Sequence, residues 1–204
     1  MLTFVIGGAG FTGVETAGEI AEWVNDLCKQ YNISRSEVSI KILEAKKEIL
    51  PVLNERRAAK ARNYLTEELG VEVLTQSYIC KAFADGITIT NQQVDCADEK
   101  KIKSRTLIWT GGVKAKSLID NLDLETTDDN RVIVNDYLQT SVDNIFAVGD
   151  NAYFTQGEVA LPQLVEAALQ GGECAAHNIT AQIKDKELKK FAPTLHGVMV
   201  SVGS

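Results

Sequence analysis

Six residues, Gly8-Ala9-Gly10-Phe11-Thr12-Gly13, constrain this chain more than any other feature. They stand between an apolar run, Leu2 to Ile6, and a stretch in which small or apolar side chains recur at Val14, Ala17, Ala21, Val24, Cys28 and Tyr31. The run suits a strand buried on both faces, and the recurrence is helical, with Glu15, Glu19, Glu22 and Asp26 on other faces. A strand, a glycine turn and a helix in that order give each glycine a role. Gly8 permits the tight turn, Gly10 lets the backbone come close to an anionic ligand at the helix N-terminus, and Gly13 lets helix and strand pack closely.

The rest of the chain continues the alternation. Val38 to Leu43 reads as a second strand ending on Glu44, Asn54 to Leu69 as a charged helix stopped by Gly70, and Val71 to Thr75 as a third strand. Tyr78 to Gln93, broken by Asp85-Gly86, reads as a hairpin or meander, and Thr106 to Thr110 as the strand that closes the unit near Gly112. Then come a polar stretch from Lys114 to Asn130, strands at Val132 to Val134 and Ile145 to Val148, and a helix from Pro162 to about Ile183. The expected fold is α/β: a Rossmann-like domain with a β-meander over residues 1–112, and a second, incomplete domain over 113–204.

Charge excludes one class of partner. Residues 1–112 carry 14 basic and 15 acidic side chains and residues 113–204 carry 7 and 13, so neither part offers the basic face that nucleic acid needs. No apolar run approaches the roughly 20 residues that cross a bilayer. The four cysteines, Cys28, Cys80, Cys96 and Cys174, form no C-x-x-C pair, and the two histidines, His177 and His196, lie at no metal-ligand spacing. The cysteines read as reduced structural thiols of a cytosolic protein with no metal site.

The glycine turn in its strand-turn-helix context reads as a dinucleotide site formed by Gly8, Gly10, Phe11, Thr12 and Gly13. Glu44, at the end of the second strand, can accept hydrogen bonds from the adenosine ribose and would repel a 2′-phosphate, which favours NADH over NADPH. Lys46 and Lys47 beside it could partly offset that repulsion. Gly7, Gly10 and Gly13 also fit the spacing of short-chain dehydrogenases, but no tyrosine here is followed four places later by the lysine those enzymes use.

The most specific stretch is Thr140-Ser141-Val142-Asp143-Asn144-Ile145-Phe146-Ala147-Val148-Gly149-Asp150. It resembles the second FAD signature of the FAD-dependent pyridine nucleotide oxidoreductases, in which a strand ends at Gly-Asp and the aspartate bonds a ribityl hydroxyl. Within that superfamily the chain is similar to the type II NADH dehydrogenases, the single-subunit NADH:quinone oxidoreductases. Three features carry the likeness: Gly8 to Glu15 as Gly-x-Gly-x-x-Gly-x-Glu, Trp109-Thr110-Gly111-Gly112-Val113, and Leu161-Pro162-Gln163 opening a helix that contains Gln170.

The resemblance implies hydride transfer from NADH to FAD and on to a quinone, or to another acceptor in a related reductase. A non-catalytic nucleotide-binding module is the remaining alternative. Glu15 is implied near the nicotinamide carboxamide, while Thr110, Gly111 and Gly112 would let NADH approach the flavin. Gly149, Asp150, Pro162, Gln163 and Leu164 are implied at the FAD, with Pro162 at the first helical position so that the helix N-terminus aims its positive end at the flavin. Where the family has Ala-Gln-x-x-x-Gln beside the quinone, this chain has Val165-Glu166-Ala167-Ala168-Leu169-Gln170, making Glu166 and Gln170 the quinone candidates. The chain opens directly on a strand and stops inside an apolar stretch. The resemblance implies a preceding FAD-binding glycine turn and a C-terminal membrane-associating segment outside the chain. The whole protein is expected as a possible homodimer, peripheral on the cytoplasmic face of the membrane.

Overall fold

The computed structural model describes residues 2–91, 96, 98–115, 119–157, 159–197 and 199–203; positions 92–93 of the expected meander and 116–118 of the polar connector lie outside them. The chain divides into two compact units, Met1–Gly112 with Met199–Ser204, and Val113–Val198. The last residues therefore belong with the first unit, where the sequence placed them in the second. The Ser201 N–H donates to Glu15 Oε1 at 3.2 Å, and Val200 and Val202 pack on the first unit's core.

Along the first unit run β1 (Leu2–Gly7), α1 (Phe11–Tyr31), β2 (Val38–Leu43), α2 (Glu55–Asn63), β3 (Val71–Leu74), β4 (Tyr78–Phe83), β5 (Gly86–Thr90), β6 (Lys100–Lys103) and β7 (Thr106–Trp109). A parallel sheet takes the order β3-β2-β1-β7. Its β-branched strands bury both faces, as parallel sheets must. Ile6, Ile40 and Ile42 face a core with Val14, Ala17, Ala21 and Val24 of α1, whereas Val5 and Leu43 face Ile87, Ile89 and Ile102. That second face is covered by the antiparallel meander β4-β5-β6. The charged helix expected over Asn54 to Leu69 is capped by Asn54, whose Oδ1 accepts from the Arg57 N–H at 3.0 Å, and it passes into a π-helical turn at Tyr64–Glu68 that buries Leu65.

One cysteine reading is overturned. Cys80 and Cys96 are joined by a disulfide, with their Cα atoms 6.1 Å apart, while Cys28 and Cys174 are free and buried. Sixteen residues separate the pair in sequence. The chain doubles back through β5 between them, which sequence spacing does not reveal. Burial pushes the Cys174 thiol up, so that one stays an unreactive core group.

The second unit contains short strands, β8 (Val132–Ile133), β9 (Ala152–Tyr153), β10 (Thr155–Gln156) and β11 (Val159–Ala160), followed by α3 (Val165–Ile183). Two expectations fail here. Ile145 to Val148 is not a regular strand: Phe146 makes a single isolated bridge to Gln139. The run is divided between two cores, with Phe146 and Val148 packing beside Leu138 and Phe154 and Ala147 packing beside Val132 and Ile119. Pro162 is also not a first helical residue. The Leu161 N–H donates to Phe154 O at 2.9 Å, the chain stays extended through Leu164, and α3 starts at Val165.

Asn178, fully buried on α3, ties this unit together. Its Nδ2 donates to Tyr137 O and Lys189 O, both at 2.9 Å, and its Oδ1 accepts from the Lys189 N–H at 2.7 Å. Further ties run along the same helix. Gln170 accepts from the Thr194 N–H at 2.9 Å and donates to Thr194 O at 2.8 Å, and Glu166 accepts from the His196 N–H at 3.1 Å and pairs with His196 Nδ1. The two candidate quinone residues thus fasten the segment 194–196 to α3. Bonding to the His196 ring and then to its backbone N–H holds the Glu166 carboxyl below its ordinary range.

Asn178→Ala would leave three part-buried backbone groups without their side-chain partner and should destabilise the protein by about 1–3 kcal/mol in denaturant unfolding. Glu166 is a carboxylate with a depressed pKa, so its tie is complete above the ordinary glutamate value and is lost as pH falls through the lower folded one. The His196 amide resonance should titrate below the ordinary glutamate range, and this titration should vanish in Glu166→Gln.

Candidate functional site

A cleft of about 370 Å³ opens in the first unit at the carboxyl ends of β1 and β7. In the order β3-β2-β1-β7 the chain builds outward from β1 in one direction and returns on its other side, so this is the point where the strand order reverses and ligands bind in such sheets. Of the residues expected at a dinucleotide, Gly8, Gly10, Glu44, Thr110, Gly111 and Gly112 line the cleft.

The turn that forms its floor is very close-packed. Gly8 holds φ +107° and a Cβ there would stand 2.8 Å from the Gly111 backbone; a Cβ on Gly13 would stand 1.9 Å from Gly8 O. Gly10 is the opposite case, with nothing within 4 Å of where its Cβ would be. The Thr110 N–H donates to Gly7 O at 2.8 Å and its hydroxyl lies 2.9 Å from Gly8 O, so the end of β7 is fastened to the turn. Gly10 also precedes α1 without any side-chain cap, and α1 carries no acidic residue in its first turn. The helix therefore begins with N–H groups that no capping side chain satisfies.

Glu44 is buried to 8% exposure at the edge of this floor. Its Oε2 accepts from the Ala9 N–H at 2.8 Å and its Oε1 from the Lys46 N–H at 2.9 Å. A carboxylate has about four acceptor sites, so two remain for a donor arriving from the cleft.

Four expected residues do not line the cleft. Gly13 lies behind the turn, Phe11 and Thr12 open α1, and Glu15 is engaged with the Ser201 N–H. Ser77, Tyr78 and Ile79 form a further wall that sequence reading missed. They precede and open β4, and only the return of the meander across the sheet brings them to the glycine turn. No local pattern signals that.

In the second unit, Gly149, Pro162, Gln163 and Leu164 meet around a recess of about 20 Å³. Gly149, at φ +63°, opens a 3₁₀ turn, Gly149–Asn151, where the sequence predicts the end of a strand. Asp150 lies outside the recess and is exposed, with Gln163 Nε2 donating to its backbone carbonyl at 3.3 Å. Among the described residues the one group with metal-ligand proximity is Cys80, Cys96 and Glu99. Its sulfurs are bonded to each other, so it offers no thiolate to a cation.

Comparison with known proteins follows the same lines. Against the Staphylococcus aureus (strain NCTC 8325 / PS 47) type II NADH:quinone oxidoreductase the chain is 31% identical over 206 residues, covering 100% of this chain and 50% of that protein. The chain spans about half the length of the curated relatives it matches. Among solved structures, NDH2 from Plasmodium falciparum in complex with NADH aligns with a TM-score of 0.65 and 25% identity, over 75% of this chain and 32% of that one. A persulfide reductase from A. fulgidus, described as NAD-dependent, shares the fold, with a TM-score of 0.73 and 21% identity over 98% of this chain and 34% of its own. Residues 2–172 match the pyridine nucleotide-disulphide oxidoreductase family, and by that match, which spans well over half its length, the chain belongs to this family.

Proposed function

We propose that the first unit binds NADH and the second contributes part of an FAD-binding region, in a type II NADH dehydrogenase that passes a hydride from NADH to FAD and two electrons on to a quinone. The observation that carries this reading is the cleft itself: an open approach at Gly10, uncapped N–H groups at the start of α1, and a buried carboxylate at Glu44. These three features suit the pyrophosphate and adenosine ribose of one dinucleotide.

The residues fit that ligand in their chemistry. The backbone at Gly10 and the first turn of α1 would hold the pyrophosphate, and the two unused acceptor sites of Glu44 would receive the ribose hydroxyls. A 2′-phosphate would be set against a buried negative charge, which favours NADH over NADPH, although exposed Lys46 at the rim softens the discrimination. Trp109, 62% exposed and lining the same cleft, with Gly111 and the open Gly112 behind it, would shape the nicotinamide end. Phe11, Thr12, Gly13 and Glu15 support this site from behind, by building the turn and the helix start.

The fit to FAD is partial. The recess at Gly149 holds about one water, not an isoalloxazine, so a flavin would rest outside it, against the exposed edge formed by Asp150 and Gln163. When bound, FAD supplies the hydride-accepting chemistry, and the chain contributes binding and orientation. A quinone acceptor is supported by the names of the relatives, and with it a position at the membrane surface. Among the described residues no helix is long and apolar enough to cross a membrane, and a peripheral position on the cytoplasmic face belongs to this reading. Glu166 and Gln170 remain the candidates for the quinone side, and a homodimer is part of the same reading.

Steady-state oxidation of NADH and NADPH by the protein that carries this chain, with quinones and ferricyanide as acceptors, tests the proposal. NADH with quinone turnover is expected; ferricyanide turnover without quinone turnover would assign a related reductase, and absence of flavin would assign a non-catalytic module. Within the cleft, Gly10→Ala should leave the melting temperature unchanged, because its Cβ enters open space, yet raise the Kd for NADH at least about tenfold by blocking the pyrophosphate. An unaltered Kd, read from quenching of Trp109, would remove the cleft from the reading.

A further inference from the structure

We infer that the Cys80–Cys96 pair is a thiol–disulfide exchange site for a dithiol reductant, and that its state sets how tightly the neighbouring cleft holds its nucleotide. This rests on the reading of that cleft as an NADH site. Cys80 is the residue at which the β4/β5 register shifts, between the pairs Ile79↔Ile89 and Lys81↔Thr88. A bulge turns one side chain out of the ladder, and here the side chain turned out is the one bonded to Cys96.

The bulge adjoins the cleft directly. Tyr78 and Ile79, the two residues before Cys80, line it. Ile79 Cδ1 lies 2.8 Å from where a Cβ on Gly7 would be, so this side chain presses against the strand end that leads into the glycine turn. With the disulfide closed, Cys96 braces β4 one residue beyond the cleft wall. With it open, Tyr78 and Ile79 keep their pairing with Thr90 and Ile89, Ile79 its packing, and Ser77 before them its bond to Glu44 O at 2.9 Å, but the tie beyond them at Cys80 is lost.

Access favours one course of reaction. Cys96 is exposed and Cys80 is half-buried, so an incoming thiolate meets the Cys96 sulfur first. It forms a mixed disulfide there, the bond to Cys80 breaks, and the Cys80 sulfur leaves with the electron pair and takes a proton. The second thiol of the reductant then attacks the mixed disulfide, releasing the Cys96 thiol and the reductant as its own disulfide. In sum the protein disulfide gains two electrons and two protons and the dithiol loses them. The Glu99 carboxylate, paired with Lys81 Nζ at 3.3 Å, has an oxygen within 4.8 Å of both sulfurs.

The test compares the air-oxidised protein with the same protein after dithiothreitol and its removal. Alkylation read by mass spectrometry should label Cys80 and Cys96 only after reduction and spare buried Cys28 and Cys174. The Kd for NADH, from Trp109 quenching, should rise about threefold to tenfold on reduction, and Cys80→Ser/Cys96→Ser should show the weaker binding with or without reductant. Equal NADH binding in both states, with labelling as expected, would overturn the coupling while leaving the NADH reading intact. Failure of Cys80 and Cys96 to become labelled would overturn the exchange site whatever the NADH result. No NADH binding in either state would overturn the cleft reading and the coupling with it. Should the double variant fail to fold, the comparison of oxidised and reduced wild-type protein decides the matter alone.

Discussion

Everything in the first unit depends on backbone meeting backbone at the end of β1. Gly8 and Gly111 approach so closely that a single added carbon at Gly8 would collide with the Gly111 backbone, and Gly13 touches the Gly8 carbonyl from the other side. The Thr110 hydroxyl sits 2.9 Å from Gly8 O although 102 residues separate them in the chain. This contact fixes the turn, the direction in which α1 leaves it, and the floor of the cleft. Glu44 completes it, one oxygen accepting from the Ala9 N–H of the turn and the other from the Lys46 N–H, so that the buried carboxylate is satisfied.

The second unit is organised by a different device. Its described strands are two residues long and pair only two by two, and a buried amide takes over part of the role of a larger sheet. Asn178 binds two segments through three hydrogen bonds inside a core that includes Phe154 and Phe191, whose rings meet edge to face at 5.0 Å. Such a group, fully satisfied, specifies one arrangement of the chain around α3. Glu166 and Gln170 extend the same pattern toward the surface, which gives both residues a structural part beside any they have toward an acceptor.

Legibility differed between these units for a physical reason. The parallel sheet could be read strand by strand because strands buried on both faces are continuous apolar runs, and β2 emerged with the bounds expected of it. Ile145 to Val148 has the same composition, but its side chains divide between two small cores and its backbone makes one bridge. Pro162 misled because proline is tolerated at a helix start and equally in extended chain, and the bond from Leu161 to Phe154 decided between them.

The sequence by itself determined the glycine turn, its place between strand and helix, and a carboxylate at the end of the next strand, because each is imposed by local sterics and by spacing along consecutive strand and helix units. Tertiary structure alone decided that Ser77, Tyr78 and Ile79 wall the cleft, that Cys80 and Cys96 are bonded, and that residues 199–203 return to the first core. These contacts join segments whose own residues carry no trace of their partners. They come into being only when the meander folds across one face of the sheet and the end of the chain settles against α1.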